Sequence, residues 1–226
     1  MRGVVHVVDD DESARKALMR LLRSFECQAR GYESGEQLLD ATFEVNEPAC
    51  ILLDLRMSGL SGLDVLASLA ERDHPPVVMV SGRGDVSTCA NAMKRGARDF
   101  LEKPVHAAQL RSVIVKAFVE DTAAQSARRI TNMYNARIAM LTRREREVLR
   151  YVISGRLNKA TAQELGISEK TIKVHRARIL RKMQVRSVAE LARIYTIIGI
   201  RPADPGPWFS LSMANARALA LSDAAT

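Results

Sequence analysis

Five short runs of apolar, β-branched residues alternate with helix-forming segments over the first 120 residues, and this alternation limits the possible folds more than any other feature of the sequence. The runs cover residues 3–8, 27–32, 49–53, 77–80 and 99–101. Strands that alternate with helices form parallel sheets built from βα units. We therefore predict an α/β fold for residues 1–120, with a doubly wound five-stranded parallel sheet and five helices.

The remainder of the chain has the pattern of helices alone. Residues 107–140 have helical spacing with few strand formers, so residues 121–140 are interpreted as a linker helix. Residues 141–199 hold short helices with capping-box starts at Thr142 and Ser187, and are predicted to form an all-α four-helix module. Residues 200–226 contain three prolines and the single tryptophan, Trp208, and are predicted to be a flexible tail or one loosely docked helix.

The two halves of the chain differ in charge. Residues 1–125 hold 15 basic and 19 acidic side chains, which gives −4, whereas residues 126–226 hold 19 basic and 7 acidic ones, which gives +12. A basic helical half favours a polyanionic partner, and nucleic acid fits better than a membrane because the basic half lacks an aromatic amphipathic face. No run of residues resembles a signal peptide or a membrane helix, so a cytoplasmic location is expected.

Polar residues cluster where the predicted strands end. Asp9 and Asp10 follow the first strand, Asp54 ends the third, Ser81 follows the fourth, and Lys103 comes two residues after the fifth. Ligands of doubly wound folds bind at the carboxyl ends of the strands. Carboxylates gathered there repel one another unless a hard cation lies between them, and oxygen ligands suit Mg²⁺. The pattern predicts a magnesium site beside a lysine and a hydroxyl that could hold a phosphoryl group.

The chemistry that this residue set favours is attack of a carboxylate on phosphorus to form an aspartyl phosphate. A glycine-rich Walker loop is missing from the sequence, so a bound nucleotide is not the expected phosphoryl donor. The three cysteines are interpreted as buried, reduced thiols, because Cys27, Cys50 and Cys89 are far apart and odd in number.

A second set of residues has the pattern of a helix-turn-helix. Residues 158–165 read as a short helix, Gly166 and Ser168 as a turn with an N-cap, and residues 169–183 as a longer helix. On the longer helix Ile172, Ile179 and Met183 fall on one face, while cationic side chains occupy the rest of its surface. One stripe is expected to pack and the remainder to face an anionic partner.

The motifs of the first half resemble the receiver domains of two-component response regulators, and their spacing fits the FixJ-like branch best. These motifs are Val-Val-Asp9-Asp10-Asp11, Leu-Leu-Asp54-Leu-Arg-Met, Val-Ser81-Gly and Asp-Phe100-Leu-Glu-Lys103-Pro104. The resemblance implies a flavodoxin-like receiver in which Asp54 accepts the phosphoryl group, Ser81 senses it, Phe100 changes rotamer and Lys103 pairs with it.

By the same resemblance, the metal is held by Asp9, Asp10, Asp54 and the backbone carbonyl of Arg56, with Asp10 a direct ligand. The peptide before Pro104 is expected to be cis.

Two positions depart from the receiver pattern, and one acidic residue is left outside the site. The family usually has Met-Pro-Gly after the phosphoacceptor, whereas this chain has Ser58 in place of the proline, so the loop loses a fixed φ angle and is expected to be more mobile. Val105 stands where Phe is usual, which reduces the packing under the last receiver helix. Asp11 is interpreted as a solvated residue that opens the first helix rather than as a metal ligand.

The second half resembles the LuxR-type DNA-binding domain across some sixty positions. The motifs that carry this resemblance are Leu141-Thr-Arg-Arg-Glu-Arg-Glu-Val-Leu149, Asn158-Lys159, Glu164-Leu-Gly-Ile-Ser168 and Thr171-Ile-Lys-Val-His175-Arg176. The resemblance implies that the helix beginning at Glu169 enters the major groove, with base contacts from Lys173, Val174 and Ala177. The residues expected to contact phosphates are Lys159, Thr171, His175, Arg176, Arg178 and Lys182.

The function implied is that of a phosphorylation-dependent transcriptional regulator, an activator as most relatives are, whose only catalysis is its own phosphorylation and dephosphorylation. Its expected partners are a sensor histidine kinase, promoter DNA, RNA polymerase and, once phosphorylated, a second copy of the chain. Three alternatives remain open from the sequence. They are a DNA-binding regulator with a phosphorylation-independent receiver, a small phosphatase or dehalogenase with aspartyl chemistry, and a promoter-recognition subunit of RNA polymerase.

Overall fold

The computed structural model describes residues 2–43, 47–82 and 86–198, apart from three side chains in the third range, those of Val86, Ser87 and Cys89. The chain divides into two compact units, Met1–Ser126 and Ala127–Thr226. The predictions for the tail at 200–226 and for the thiol of Cys89 lie outside the described part of the chain. Cys27 and Cys50 are buried, reduced thiols, as expected.

The first unit contains a parallel sheet with helices on both faces. Its strands are β1 (Val4–Val8), β2 (Gln28–Tyr32), β3 (Ala49–Asp54), β4 (Val77–Ser81) and β5 (Asp99–Glu102). Its helices are α1 (Glu12–Ser24), α2 (Gly35–Leu39), α3 (Gly62–Leu69), α4 (Val86–Lys94) and the first part of α5 (Ala107–Ala139). All strand pairs are parallel and the order is β2-β1-β3-β4-β5, which confirms the predicted doubly wound five-stranded sheet.

The alternation of side chains along each strand divides the core into two layers. Val5 and Val7 of β1 pack with Leu18 of α1 and Ile114 of α5 on one face of the sheet, whereas Val8 lies in the layer of α2, α3 and α4. The three central strands are buried along their whole length, because helices cover both faces. This is why their sequences are continuous apolar runs.

Helix α3 begins directly against the end of β3. The Gly62 N–H donates to the Leu55 carbonyl at 3.1 Å, and a Cβ atom at Gly62 would lie 2.3 Å from the backbone carbonyl oxygen of Asp54. Only glycine allows so close an approach of the two backbones. The start of α3 therefore fixes the backbone around Asp54.

Asp11 opens α1 as predicted. Its exposed carboxylate accepts hydrogen bonds from the backbone N–H groups of Ser13 and Ala14 at 2.7 and 3.2 Å. This is the geometry of an N-cap, in which the side chain satisfies helix donors that have no partner within the helix.

The second unit contains the last part of α5 and four further helices. These are α6 (Arg143–Ile153), α7 (Asn158–Leu165), α8 (Glu169–Met183) and α9 (Val188–Ile197). The four-helix module is therefore confirmed, and the described part of this unit contains no strand. Ile138 of α5 and Leu141 pack into the core of this unit. The predicted linker helix is the second part of α5, which runs unbroken for 33 residues; the domain boundaries at 120 and 140 remain predictions.

The two predicted capping boxes of this unit differ in completeness. Thr142 and Glu145 form both reciprocal hydrogen bonds. At the start of α9 the Ser187 hydroxyl accepts from the Glu190 N–H, but the Glu190 carboxylate accepts from the backbone of Arg186 instead of Ser187. The second box is thus half formed, because the carboxylate reaches one residue further back along the chain.

Glu145 also joins α6 to α8. Its buried carboxylate accepts from Lys182 Nζ at 2.7 Å and from the Thr142 N–H at 2.8 Å. Burial by itself raises the pKa of Glu145, but the hydrogen bonds from Lys182 and Thr142 outweigh it and the net pKa is lowered. A lowered folded-state pKa means that the ionised carboxylate stabilises the fold above its unfolded pKa, near 4.5, and that this contribution is lost as the pH falls through the folded value.

We expect Glu145→Ala to destabilise the second unit by about 2–3 kcal/mol at neutral pH, because Lys182 and the first turn of α6 lose their common partner. Hydrogen exchange of the α6 and α8 amides measures this local free energy. Glu147→Ala on the same helix is the matched control, since Glu147 pairs with Arg144 nearer the surface and should cost about 1 kcal/mol or less. Equal losses in the two variants would contradict this role of Glu145, as would a difference that persists well below pH 4.5.

Candidate functional site

The ends of the strands bring three carboxylates together. Val8 of β1 pairs with Leu53 of β3. The residues that follow them, Asp9 and Asp54, therefore lie side by side at the carboxyl ends of these neighbouring strands. One carboxylate oxygen from each of Asp9, Asp10 and Asp54 lies within 4.8 Å of the others. Asp9 and Asp54 are buried, whereas Asp10 is exposed. The chain therefore forms a cluster of acidic oxygens that could hold a metal ion, as the sequence predicted.

Lys103 reaches this cluster from the loop after β5. Its Nζ lies 2.8 Å from Asp9 Oδ2 and 3.2 Å from Asp54 Oδ1. Its backbone N–H donates to the Ser81 carbonyl at 2.8 Å, and the Lys103–Pro104 peptide is cis, as expected from the resemblance. The ammonium group thus lies beside the carboxylate that was predicted to accept a phosphoryl group.

Asp54 and Lys103 are the two central groups of the cluster, and burial and neighbouring charges shift the pKa of each. Burial raises the pKa of Asp54, the nearby charge of Lys103 lowers it in part, and the negative charge of Asp9 raises it further. Burial lowers the pKa of Lys103, but the hydrogen bond to Asp9 and the charge of Asp54 outweigh burial and raise its pKa overall. The lysine therefore stays charged, and added positive charge would favour the ionised, nucleophilic form of Asp54.

The remaining predicted receiver residues lie at the carboxyl ends of the strands or on the edge strand β5. Ser81 is the last residue of β4 and is buried. Phe100 lies on the edge strand β5, with 48% of its surface exposed. Arg56 is exposed in the loop between β3 and α3. The roles of Ser81, Phe100 and the Arg56 carbonyl remain predictions.

Two residues that contact the site were not identified from the sequence. Arg15 on α1 is buried, and its guanidinium donates to the backbone carbonyl of Asp9 at 2.6 Å. The Ser58 N–H donates to Asp10 Oδ2 at 2.7 Å. A signal for Ser58 was present, because replacing proline by serine restores a backbone donor. No comparable signal marks Arg15, which resembles any other basic residue on a helix.

The predicted helix-turn-helix is present with the predicted bounds. Gly166 ends α7 in the left-handed conformation with φ of 64°, and the Ser168 hydroxyl accepts from the Thr171 N–H to cap α8. Ile172, Ile179 and Met183 are fully buried on the inner side of α8. The turn and the cap fix where α8 starts, and the buried stripe fixes which face it presents.

The residues predicted to contact DNA lie mostly on the outer side of α8 or next to it. The residues that are exposed are Lys159, Lys173, Val174, Ala177 and Arg178. Those that are partly buried are Thr171, His175, Arg176 and Lys182. Lys173 forms an ion pair with Glu169 one turn earlier at 3.2 Å, which orients its side chain along the exposed face. The structure thus makes a cationic helix face available, while the individual contacts remain predictions.

Lys182 differs from the other candidates because its ammonium group already pairs with a carboxylate of the same unit. Its Nζ contacts Glu145 at 2.7 Å and the Met140 carbonyl at 3.1 Å. A phosphate contact would have to share the ammonium group with Glu145, so the first role that the structure gives Lys182 is stabilisation of the fold.

Arg137 on α5 supports the end of α8, a role that its sequence position does not indicate. Its guanidinium donates to the Met183 carbonyl at 3.1 Å and to Gln184 Oε1 at 2.6 Å. The guanidinium also lies over the Tyr134 ring, with 5.1 Å between its central carbon and the ring centroid. A cation at the carboxyl end of a helix stabilises the exposed carbonyls.

Comparison with known families matches both units. Residues 5–115 match the family described as the response regulator receiver domain, and residues 139–195 match the family described as bacterial regulatory proteins, luxR family. No described helix combines the length and the apolar character that crossing a membrane requires.

Relatives match nearly the whole chain. The transcriptional regulatory protein FixJ of Azorhizobium caulinodans is 40% identical over 202 residues, covering 88% of this chain and 95% of that protein. The nodulation protein W of Bradyrhizobium diazoefficiens is 36% identical and covers 88% of each chain. The solved structure of the response regulator StyR has a TM-score of 0.75 and 36% identity, covering 87% of this chain and 99% of that one.

Proposed function

The chain belongs to the FixJ-like response regulators, which join a receiver domain to a LuxR-type DNA-binding domain, and we propose that a phosphoryl group on Asp54 controls its binding to promoter DNA. Like its relatives, the protein is a transcriptional regulator and not a metabolic enzyme. A receiver in the first half removes the alternative of a promoter-recognition subunit. The observation that carries the proposal is the position of Lys103, in contact with both Asp9 and Asp54 at one end of the sheet.

The residues of the acidic cluster fit a magnesium ion. Three carboxylates supply hard oxygen ligands, and Mg²⁺ usually binds one or two carboxylates and retained waters rather than a complete protein cage. Asp9, Asp10, Asp54 and the carbonyl of Arg56 would hold it. The ion would neutralise charge on the oxygens of the transferred phosphoryl group.

The proposed phosphoryl transfer uses these groups. A carboxylate oxygen of Asp54 attacks phosphorus, while the bond from phosphorus to a histidine nitrogen of a sensor kinase, or to a small phosphodonor, breaks. The electron pair of that bond leaves with the donor. Lys103 and Ser81 hold the phosphoryl oxygens, and hydrolysis later returns Asp54 to its carboxylate. This cycle on its own side chain is the only catalysis we assign to the protein.

Coupling to DNA binding is proposed to run through the face formed by residues 90–100 and 109–116. This face contains exposed apolar side chains, those of Met93, Phe100 and Val115. Such side chains favour association with another protein surface. Movement of Ser81 and Phe100 on phosphorylation would remodel the face so that two receivers pair, and a dimer would present two α8 helices to repeated half-sites. The bound dimer would then recruit RNA polymerase to the promoter.

We expect phosphorylation to tighten DNA binding by roughly tenfold, which lies within the usual range for coupling between two sites. The DNA is a duplex selected by the protein itself from a random pool. Fluorescence anisotropy compares its affinity for the chain with and without acetyl phosphate and Mg²⁺, and sedimentation velocity follows the monomer and dimer in the same samples.

Equal affinity in the two states would favour the phosphorylation-independent regulator. A phosphorylated chain that stays monomeric while binding DNA tightly would overturn the dimer coupling. An acetyl phosphate treatment without Mg²⁺ serves as the control, because the acidic cluster should then remain unphosphorylated.

A further inference from the structure

Ser58 gives this receiver a contact that the usual family residue cannot make. Proline is typical of this position and has no backbone N–H, whereas the Ser58 N–H donates to Asp10 Oδ2 at 2.7 Å across 48 residues of sequence. The loss of proline predicted a more mobile loop. The structure instead gives the loop a hydrogen bond to a carboxylate of the acidic cluster.

Asp10 depends on such a contact more than the other two carboxylates do. Asp9 and Asp54 are buried and are held by packing and by Lys103, whereas Asp10 is exposed. The backbone N–H of Ser58, followed by its hydroxyl, lowers the pKa of Asp10. The Ser58 N–H therefore holds one oxygen of an exposed carboxylate in place.

The end of the loop next to α3 is held by hydrogen bonds that do not involve Ser58. The Gly62 N–H donates a hydrogen bond to the Leu55 carbonyl, and Ser61 and Asp64 form a complete capping box at the start of α3. The hydrogen bond from Ser58 therefore acts chiefly on Asp10. A ligand that is already oriented loses less freedom when it binds an ion.

We propose that Ser58 is a positioning residue for the divalent cation, because its N–H holds Asp10 within reach of Asp9 and Asp54. This inference rests on the proposed function, which supplies the cation. The backbone donor carries the effect, and the hydroxyl contributes a smaller part. In this chain the usual family residue, proline, is therefore expected to be worse than serine.

Mg²⁺ affinity of the full chain, measured by isothermal titration calorimetry, tests the proposal with two substitutions. Ser58→Ala keeps the N–H and should bind Mg²⁺ nearly as tightly as the original chain. Ser58→Pro removes the N–H and should bind roughly tenfold more weakly, the loss expected for a hydrogen bond to a charged group. Thermal unfolding in EDTA shows whether each variant is folded and separates metal affinity from metal-free stability.

Asp10→Asn provides the second arm of a double-mutant cycle. If Ser58 acts through Asp10, Ser58→Pro should have little further effect on Mg²⁺ affinity once Asp10 has been replaced. Additive losses would overturn the proposal, as would Mg²⁺ binding by Ser58→Pro as tight as, or tighter than, that of the original chain. If the original chain itself failed to bind Mg²⁺, the metal site of the proposed function would fall, and this inference with it.

Discussion

The Asp54→Asn variant is expected to take up no acid-labile phosphoryl group from acetyl phosphate, whereas the original chain becomes phosphorylated in the presence of Mg²⁺. The amide of asparagine lacks the charge and the nucleophilic oxygen that attack on phosphorus requires. The measurement is retardation on a phosphate-binding gel run under conditions that preserve acyl phosphates. Retardation of the Asp54→Asn variant would place the phosphoryl group elsewhere, and no retardation of either protein would favour a receiver that works without phosphorylation.

Asp11→Asn is the matched control for this experiment. It changes the same functional group two residues from Asp9, but the Asp11 side chain caps α1, and asparagine is an equally good cap that keeps the backbone N–H donated to Asp9. We therefore expect Asp11→Asn to be phosphorylated like the original chain. If both substitutions abolished phosphorylation, the loss could not be assigned to the chemistry of Asp54.

A stability readout shows that the Asp54→Asn variant is folded. Because burial raises the folded-state pKa of Asp54 above its ordinary value of 3.8, the stability that this group contributes is complete below that value and is lost as the pH rises through the folded pKa. At neutral pH and without a divalent cation the asparagine variant should thus unfold at a higher temperature than the original chain. Added Mg²⁺ should reduce this difference, since the cation stabilises the ionised carboxylate.

DNA affinity is expected to fall by about 10³-fold when the salt concentration rises from about 50 to 200 mM. In the part of the chain that the structure describes, Lys159, Arg176 and Arg178 pair with no carboxylate, in contrast to Lys182. Three such cations in each of two copies would neutralise about six phosphates, which predicts a slope of about −5 for log affinity against log salt concentration. Anisotropy titrations at several salt concentrations measure this slope, and a value near zero would contradict binding through α8.

Two substitutions on α8 separate the positioning of the protein from the reading of bases. Arg178→Ala should weaken binding to all sequences and make the slope less steep by about 1 per copy. Lys173→Ala should weaken binding chiefly to the selected site, because a base contact carries sequence preference. The prediction for Lys173 fails if its loss weakens selected and random DNA equally.

The architecture could be predicted from the sequence because local patterns record which faces are buried. Continuous apolar runs mark β1, β3 and β4, whose two faces are covered, and the spacing of Ile172, Ile179 and Met183 marks the buried side of α8. The turn at Gly166 and the cap at Ser168 were visible for the same reason, since each acts within a few residues. The order of the strands brings Asp9 and Asp54 to one edge, so the acidic cluster also followed from sequence position.

What the pattern could not supply were contacts between residues far apart in sequence. Ser58 and Asp10 are separated by 48 residues, and Lys182 and Glu145 by 37. Helical spacing reports the surroundings of one element only, so it placed Lys182 on the cationic face that was expected to contact phosphates. The loss of the proline φ restraint is also a local feature, and it predicted a more mobile loop at Ser58. The continuity of α5 through Ala139 was likewise not specified, because helical spacing on either side of residue 120 fits one helix or two.

The sequence thus determined the sheet, the helix-turn-helix and the chemical character of each site, because those features depend on residue type and on local spacing. The tertiary structure decided which partner each polar side chain takes, since a hydrogen bond requires donor and acceptor to lie within about 3 Å of each other and only packing brings distant residues that close. That packing is what places Lys103 on Asp9 and Asp54, Arg15 behind Asp9, and the backbone of Ser58 on Asp10.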